Sequence, residues 1–350
     1  MRLKKTSMFL KKCLSKKYLC VVLSIFFLFG CVGKNDQKTL NKYSAEYFDL
    51  FDTYSQFTAL CASKEEFESL SERLHERLLT LNKEFDIYNE YEGMNNLKTV
   101  NDNAGIAPVK VSGDIMELVE FGKEAYTQTN GKINIALGNV LGIWHNYRED
   151  ALNGVKTAVP TENELKEASK FCDIDSIIID KSASTIYTDN CNTRIDVGAV
   201  AKGFAADKAK EFLENEGVGA ALLNLGGNVI AINDENKPTW KIGIENPDLS
   251  QNYIDTFDTA NSTVVTSGNY QRFYECDGQR YHHIIDPDTL YPADNNIAVT
   301  VKGSSSAVSD MLSTAIFILP RKEGEELARK YGYAVLWIEK NGAVVKTKDF

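Results

Sequence analysis

Asp196-Val-Gly-Ala-Val-Ala-Lys-Gly at 196–203 runs directly into Phe204-Ala-Ala-Asp-Lys-Ala-Lys-Glu-Phe-Leu-Glu-Asn-Glu-Gly at 204–217, and the class of fold turns on this stretch. Residues 202–216 are rich in strong helix formers, and the run stops at Gly217, a residue type suited to the left-handed position that closes a helix. Ahead of the helix, Gly198 and Gly203 flank a strand-to-helix junction where backbone groups can face a ligand with no Cβ in the way. Behind it, an apolar strand leads into Asn224-Leu-Gly-Gly-Asn-Val at 224–229.

Toward the N-terminus the spacing turns helical. Phe67, Leu70, Leu74, Leu78 and Leu81 form one stripe within 64–88, with charges opposite. Before it, residues 48–60 read as one strand rich in aromatic residues and Thr. Ser112-Gly-Asp precedes a second amphipathic helix over 115–127, and 162–171 reads as a short helix. Residues 176–179 and 185–188 pair as a hairpin. The last third is strand-rich and interrupted by a helix over 309–317. Such a pattern predicts an α+β fold with mixed or antiparallel sheets and packed helices, in one domain over 45–350.

Of the 350 residues 43% are hydrophobic and 25% charged, which excludes fibrous and wholly disordered classes. The net charge of −10 argues against a basic nucleic-acid-binding surface. Positive charge is gathered at the start, in Arg2, Lys4, Lys5, Lys11, Lys12, Lys16 and Lys17, with no acid among residues 1–30. An apolar run over 18–29 follows and ends in Leu28-Phe29-Gly30-Cys31. A basic region, a short apolar region and a small residue at the cut have the layout of a secretory signal over 1–30. The ending resembles the lipobox of bacterial lipoproteins, which implies a lipidated Cys31 followed by a polar tether, together covering 31–44. The expected location is the extracytoplasmic face of the bacterial cell membrane, reached through acyl chains because the remaining chain is acidic. Cys61, Cys172, Cys191 and Cys276 show no zinc spacing, and they read as free buried thiols or as one disulfide such as Cys172–Cys191.

Four segments carry chemistry. In 196–203, Lys202 opens a helix whose N-terminal amides favour an anion; alone it reads as a solvated lysine. In 224–229, the Gly pair permits close backbone approach or simply makes a turn. Thr266-Ser-Gly-Asn-Tyr at 266–270 is followed by Tyr281-His-His-Ile-Ile-Asp-Pro at 281–287. There strand alternation puts His282 and His283 on opposite faces, so only one can serve a given pocket, and the pair reads either as supplying a general base or as hydrogen-bonded structural histidines. Asp286, before Pro287, shapes a turn. In Asp310-Met-Leu-Ser-Thr at 310–314, the i, i+4 oxygens of Asp310 and Thr314 suit Mg²⁺ or, alone, a capping Asp and a back-bonded Thr.

Taken together, the order and spacing of these segments resemble the ApbE family of FAD:protein FMN transferases. Phe85-Asp-Ile-Tyr-Asn and Asn130-Gly-Lys-Ile-Asn-Ile-Ala-Leu-Gly extend the resemblance over roughly 45–340. It implies a T-fold-like domain and Mg²⁺-dependent transfer of FMN from FAD to a Thr hydroxyl of a partner flavoprotein, releasing AMP. That partner would be a membrane redox-complex subunit or an extracytoplasmic flavoprotein. The resemblance assigns Asp310, Thr314 and the Ala199 carbonyl to the metal. It assigns Phe51, Tyr88, Lys132, Ile133, Asn134, Asp196, Lys202, Gly226, Gly227 and Ile284 to FAD, and His283 is given the base role. The family has Asp where this chain has Asn134. Two other functions remain open at this point: an FAD pyrophosphatase yielding FMN and AMP, and a lipoprotein that binds flavin without chemistry.

Overall fold

In the computed structural model, which describes residues 39–248, 250 and 252–350, the single strand expected over 48–60 is a hairpin. Strands β1 (Asn41–Leu50) and β2 (Thr53–Cys61) pair antiparallel. Their turn consists of Phe51 and Asp52, both in the left-handed region at φ 52°. Two such non-Gly residues in succession are uncommon, and local spacing gave no sign of them. The strand also shortens the expected tether, because 41–44 belong to β1. The expected signal over 1–30, Cys31 and the tether up to 38 lie outside the described residues.

From β2 the chain enters α1 (Lys64–Phe85), capped by Ser63, whose hydroxyl accepts the Glu66 N–H. Then follow α2 (Leu97–Asp102), β3 (Val109–Lys110), α3 (Gly113–Gln128), α4 (Gly138–Leu152) and α5 (Glu162–Ser169). Strands β4 (Ile177–Asp180) and β5 (Thr185–Thr188) form the expected hairpin and lead to α6 (Ala201–Asn215). Gly217 takes φ 75° just past α6, and its N–H and that of Val218 reach back to Glu214 and Leu213.

The second half is largely strand: β6 (Ala221–Leu225), β7 (Asn228–Ile232), β8 (Trp240–Glu245), β9 (Tyr253–Thr259), β10 (Ser262–Gly268), β11 (Phe273–Cys276), β12 (Gln279–His282) and β13 (Asn296–Gly303). Helices α7 (Ser306–Ile318) and α8 (Arg321–Tyr331) precede β14 (Ala334–Glu339) and β15 (Val344–Lys346). The sequence reading missed α8, and α7 starts three residues before the expected 309.

An eight-stranded sheet in the order β1-β2-β6-β7-β10-β13-β14-β15 organises the rest. Every ladder between named strands is antiparallel, so the expectation of mixed sheets narrows to antiparallel ones. One face carries α1 against β1 and β2, α6 against β6 and β7, α7 against β10 and β13, and α8 against β14. Phe57, Leu74, Leu78, Leu223, Val299, Phe317 and Trp337 are buried in that core. The β8–β9 hairpin covers part of the other face through Trp240, Ile242 and Ile244, packed on Ala220, Ala231 and Val264. A smaller cluster of Leu137, Val140, Trp144, Leu165, Tyr274 and Ile285 seats the β11–β12 hairpin against α4 and α5. Cys61, Cys172, Cys191 and Cys276 are all free thiols; Cys191 is exposed and Cys172 half-buried, so not all four are buried as expected.

The α6–α7 contact depends on a glycine. A Cβ on Gly203 would overlap the Ser306 carbonyl and the Asp310 side chain. Replacing Gly203 with Ala therefore forces the two helices apart, and overpacking of this kind costs about 1–3 kcal/mol. Urea unfolding of Gly203→Ala measures this, and an unchanged midpoint would show that the contact yields freely.

Candidate active site

The four chemistry-bearing segments meet at one end of the sheet, where the β6–β7 turn, the end of β10, the start of α6, the second turn of α7 and the residue after β12 come together. At the start of α6, the Gly203 N–H is one of the first-turn amides that have no partner inside the helix, and it donates to Asp310 Oδ2 at 2.8 Å. The Ala199 carbonyl lies just outside the helix and accepts no backbone amide of the described residues. Asp310 is only 5% exposed, and burial pushes its carboxyl up, against the opposing pull of Lys202 and of the Gly203 N–H.

Lys202 lies over the glycine turn, its Nζ 3.3 Å from Asn228 Oδ1 and 3.5 Å from the Gly226 carbonyl. Burial pushes this ammonium down; Asp310 opposes that shift and Arg272 adds to it. Gly226 and Gly227 take φ 55° and 93°, and a Cβ on Gly226 would collide with Thr53. The turn is held by the Gly227 N–H, which donates to Asn224 Oδ1 at 2.9 Å. Thr314, one turn beyond Asp310, shares a hydroxyl contact with Ser267 of β10 at 3.2 Å.

The two adjacent histidines diverge as strand alternation predicts. His282 is buried, its Nε2 donating to the Ala293 carbonyl at 2.8 Å while Nδ1 accepts the Ile284 N–H at 3.2 Å. His283 faces the cleft, with Nδ1 directed at the Arg272 carbonyl at 3.3 Å, so Nε2 is the free acceptor. Desolvation by the cleft walls and then the Arg272 charge push its pKa down to about 3. The imidazole is neutral at pH 7.

Other expected residues have other employment. Lys132 donates to Asp286 and Asp288 at 2.8 and 2.7 Å and so braces the turn after β12. Asp286 also accepts the Asp288 N–H at 3.1 Å, the turn-shaping role expected of it. Ile133 is buried in the core. Asn134 donates to the Cys172 carbonyl and accepts the Ala136 N–H, each at 2.9 Å. The Asn134 amide supplies both bonds, and a carboxylate there could supply only the second. Ile284 has its N–H on His282 and its carbonyl on the Ala293 N–H. Asp196 accepts the Gly198 N–H at 2.8 Å, and burial pushes its carboxyl up. Phe51 sits at the tip of the β1–β2 turn, where Arg272 reaches its carbonyl at 3.2 Å.

His145, Arg148 and Arg272, on no expected site roster, join the expected Tyr88 at this cleft. Tyr88, 55% exposed, stacks on His145 of α4 with centroids 5.0 Å apart. Arg148 donates to His145 Nδ1 at 3.1 Å. Arg272 lies near enough to depress both Lys202 and His283. Helix α4 was missed because it buries only Val140 and Trp144, too thin a stripe for periodicity to show. Arg272 follows Tyr270 by two residues, and its proximity to the third segment was the one available signal.

The cleft holds hard oxygen donors for a cation, namely the Asp310 carboxylate, the Thr314 hydroxyl and the Ala199 carbonyl. Such a set fits Mg²⁺, which binds through one or two carboxylates and keeps several waters. Among the described residues no group of three or more His, Cys, Asp or Glu is gathered for a metal. A separate groove of about 420 Å³, lined by residues including Tyr43, Tyr47, Phe67 and His75, lies between β1 and α1 and contains none of these groups.

Comparison with known proteins gives a consistent result. The model of the family described as "ApbE family" matches residues 51–337. The chain is 33% identical over 251 residues to an FAD:protein FMN transferase of Treponema pallidum, covering 67% of this chain and 68% of that one. It is 29% identical over 281 residues to one of Klebsiella pneumoniae, covering 79% and 85%. The crystal structure of the ApbE protein from Thermotoga maritima superposes with a TM-score of 0.78 at 26% identity, covering 89% and 98% of the two chains. The flavin transferase ApbE from Vibrio cholerae shares the fold, with a TM-score of 0.73 at 21% identity over 88% and 97%.

The depressed His283 value has a signed consequence. Its folded pKa of about 3 lies below the ordinary 6.5, so its contribution to stability is complete above 6.5 and is withdrawn as the pH falls from 6.5 toward 3. Acidification from pH 7 to pH 5 should lower the melting temperature of the native protein more than that of His283→Ala. Equal acid sensitivity in the two proteins would show that the ring titrates normally.

Proposed function

The chain belongs to the ApbE family, and on that premise we propose that it transfers FMN from FAD to a threonine hydroxyl of a partner flavoprotein, with AMP as the leaving group. The observation that carries this reading is the start of α6, capped by Asp310. A buried carboxylate, the Ala199 carbonyl and Lys202 lie around the positive end of that helix, with Thr314 one turn along α7. Such a point suits a diphosphate together with a hard cation.

In the proposed reaction the acceptor oxygen attacks the phosphorus on the flavin side of the FAD diphosphate. The bond from that phosphorus to the bridging oxygen breaks, AMP departs with the electron pair, and the acceptor proton passes to His283 Nε2. Mg²⁺, held by Asp310, Thr314 and the Ala199 carbonyl, would neutralise charge developing on the phosphate oxygens. Lys202 and Arg272 supply further positive charge, fixed before the reaction begins. In the free protein His283 is a weak base. Desolvation is the main cause and the Arg272 and Lys202 charges add to it; a diphosphate beside those two cations would offset the charge contribution and shift the pKa upward, toward the range where proton transfer is effective. Tyr88 and Phe51 offer aromatic surface to the flavin from the two rims of the cleft. We also propose that Cys31 is lipidated and holds the domain at the extracytoplasmic face of the membrane.

Incubation with FAD, Mg²⁺ and an acceptor domain, followed by in-gel flavin fluorescence, tests the reading. AMP release without a labelled acceptor would point to the pyrophosphatase instead, and FAD binding with no AMP release to a non-catalytic flavin carrier. Asp310→Ala should abolish AMP release in a protein that still folds, and persistence of activity in chelator would remove the cation from the scheme. His283→Ala should slow transfer by about 10²–10⁴ with FAD affinity little changed, the usual range for a positioned base. A parallel loss of FAD affinity would make His283 a binding group. Cys31→Ala should release the protein from membranes or leave it unprocessed, whereas unchanged retention would refute the anchor.

A further inference from the structure

Asp207 lies one turn after Gly203 on the same face of α6, and Ser306 lies one turn before Asp310 on α7. The two helices face each other through these four residues. Asp310, from α7, accepts the Gly203 N–H of α6 at 2.8 Å. Asp207, from α6, accepts from the first turn of α7 three times: the Ser306 N–H at 2.8 Å, the Ala307 N–H at 2.9 Å and the Ser305 hydroxyl at 2.6 Å. Each helix thus supplies a carboxylate to the other's unsatisfied N-terminal amides. The remaining donors of α7 are served locally, Val308 by Ser305 Oγ at 3.2 Å and Ser309 by the Ser305 carbonyl at 3.0 Å. Without Asp207 two amides at the start of α7 lose their partners, next to a contact so close that Gly203 admits no side chain.

We propose that Asp207 is the positioning residue that sets the register of α7 on α6 and thereby places the Asp310 carboxylate on the Gly203 N–H and toward the cation. This rests on the reading of Asp310 as a cation ligand. Two features separate the role from ordinary helix capping. The cap comes from the very helix whose first turn Asp310 engages, and α7 has its own local cap in Ser305, whose hydroxyl Asp207 also orients. A shift of α7 along α6 would break both carboxylate contacts together. Asp207 touches no substrate in this scheme and acts through Asp310.

The test uses the full chain with Asp207→Ala, Asp207→Asn and, as a control, Thr161→Ala, which removes a helix cap of α5 whose side-chain bonds stay within that helix and reach neither α6 nor α7. Mn²⁺ binding to the FAD-loaded protein, read by electron paramagnetic resonance, should weaken at least tenfold in Asp207→Ala. The loss should be smaller in Asp207→Asn, which keeps one acceptor oxygen, and absent in Thr161→Ala. In the ligand-free protein, hydrogen exchange at the Gly203 amide should accelerate at least tenfold in Asp207→Ala while amides near the middle of α6 keep their rates. Should Asp207→Ala not fold, Asp207→Asn carries both measurements against the same control. Native Mn²⁺ affinity and native Gly203 protection in a destabilised Asp207 variant would overturn the proposal and leave Asp207 a simple cap. If the native protein itself binds no Mn²⁺ beside FAD, the cation reading fails, and the Gly203 exchange rate still decides the positioning role by itself.

Discussion

The contact between α6 and α7 at Gly203 is the constraint on which the rest of the cleft depends. Helix N-termini carry partial positive charge and unsatisfied amides. Here each helix meets that need with an aspartate from the other, Asp310 for α6 and Asp207 for α7. The exchange requires the backbones to approach more closely than any Cβ at 203 allows. It also ties the buried Asp310 carboxylate to the first turn of α6, beside the Ala199 carbonyl that precedes the helix. Lys202, the preceding residue, is carried over the glycine turn by the same geometry.

Electrostatically the cleft opposes the chain that contains it. The protein is acidic, with a net charge of −10, yet Lys202, Arg148 and Arg272 converge around the cleft with two neutral histidines, His145 and His283. Burial pushes Asp310 up and Lys202 down, so both charged forms are disfavoured in the free protein. A polyanion accompanied by a cation would relieve both, because each buried charge gains an opposite partner.

The cleft is also assembled from parts that lie far apart in sequence. His283 sits just beyond a two-stranded hairpin seated by Trp144, whose Nε1 donates to the Leu290 carbonyl at 2.9 Å. Lys132 fastens the following turn through Asp286 and Asp288. Arg272 ties the β1–β2 turn to the same region through the Phe51 and Asp52 carbonyls. Several residues expected to contact the flavin thus serve to hold the walls of the cleft in place.

By itself the sequence determined the α+β class, the helices α1, α3 and α6 and the β4–β5 hairpin, and it singled out Asp310, Thr314, Lys202 and His283, which the fold brings to one cleft. These features are local: apolar periodicity, a capping Ser112, a closing Gly217 and i, i+4 spacing are all expressed within a turn or two of chain. Tertiary structure alone decided that 48–60 folds back at Phe51 and Asp52, that α4 is a helix, and that Arg272, His145 and Arg148 belong to the cleft. It also decided that Lys132, Asn134 and Ile284 are bound to the protein's own groups. For Lys132 and Asp286, as for Gly203 and Asp310, the partner lies far along the chain. Spacing within a segment carries no record of what packs against it, so those choices were made only when the sheet brought the segments together.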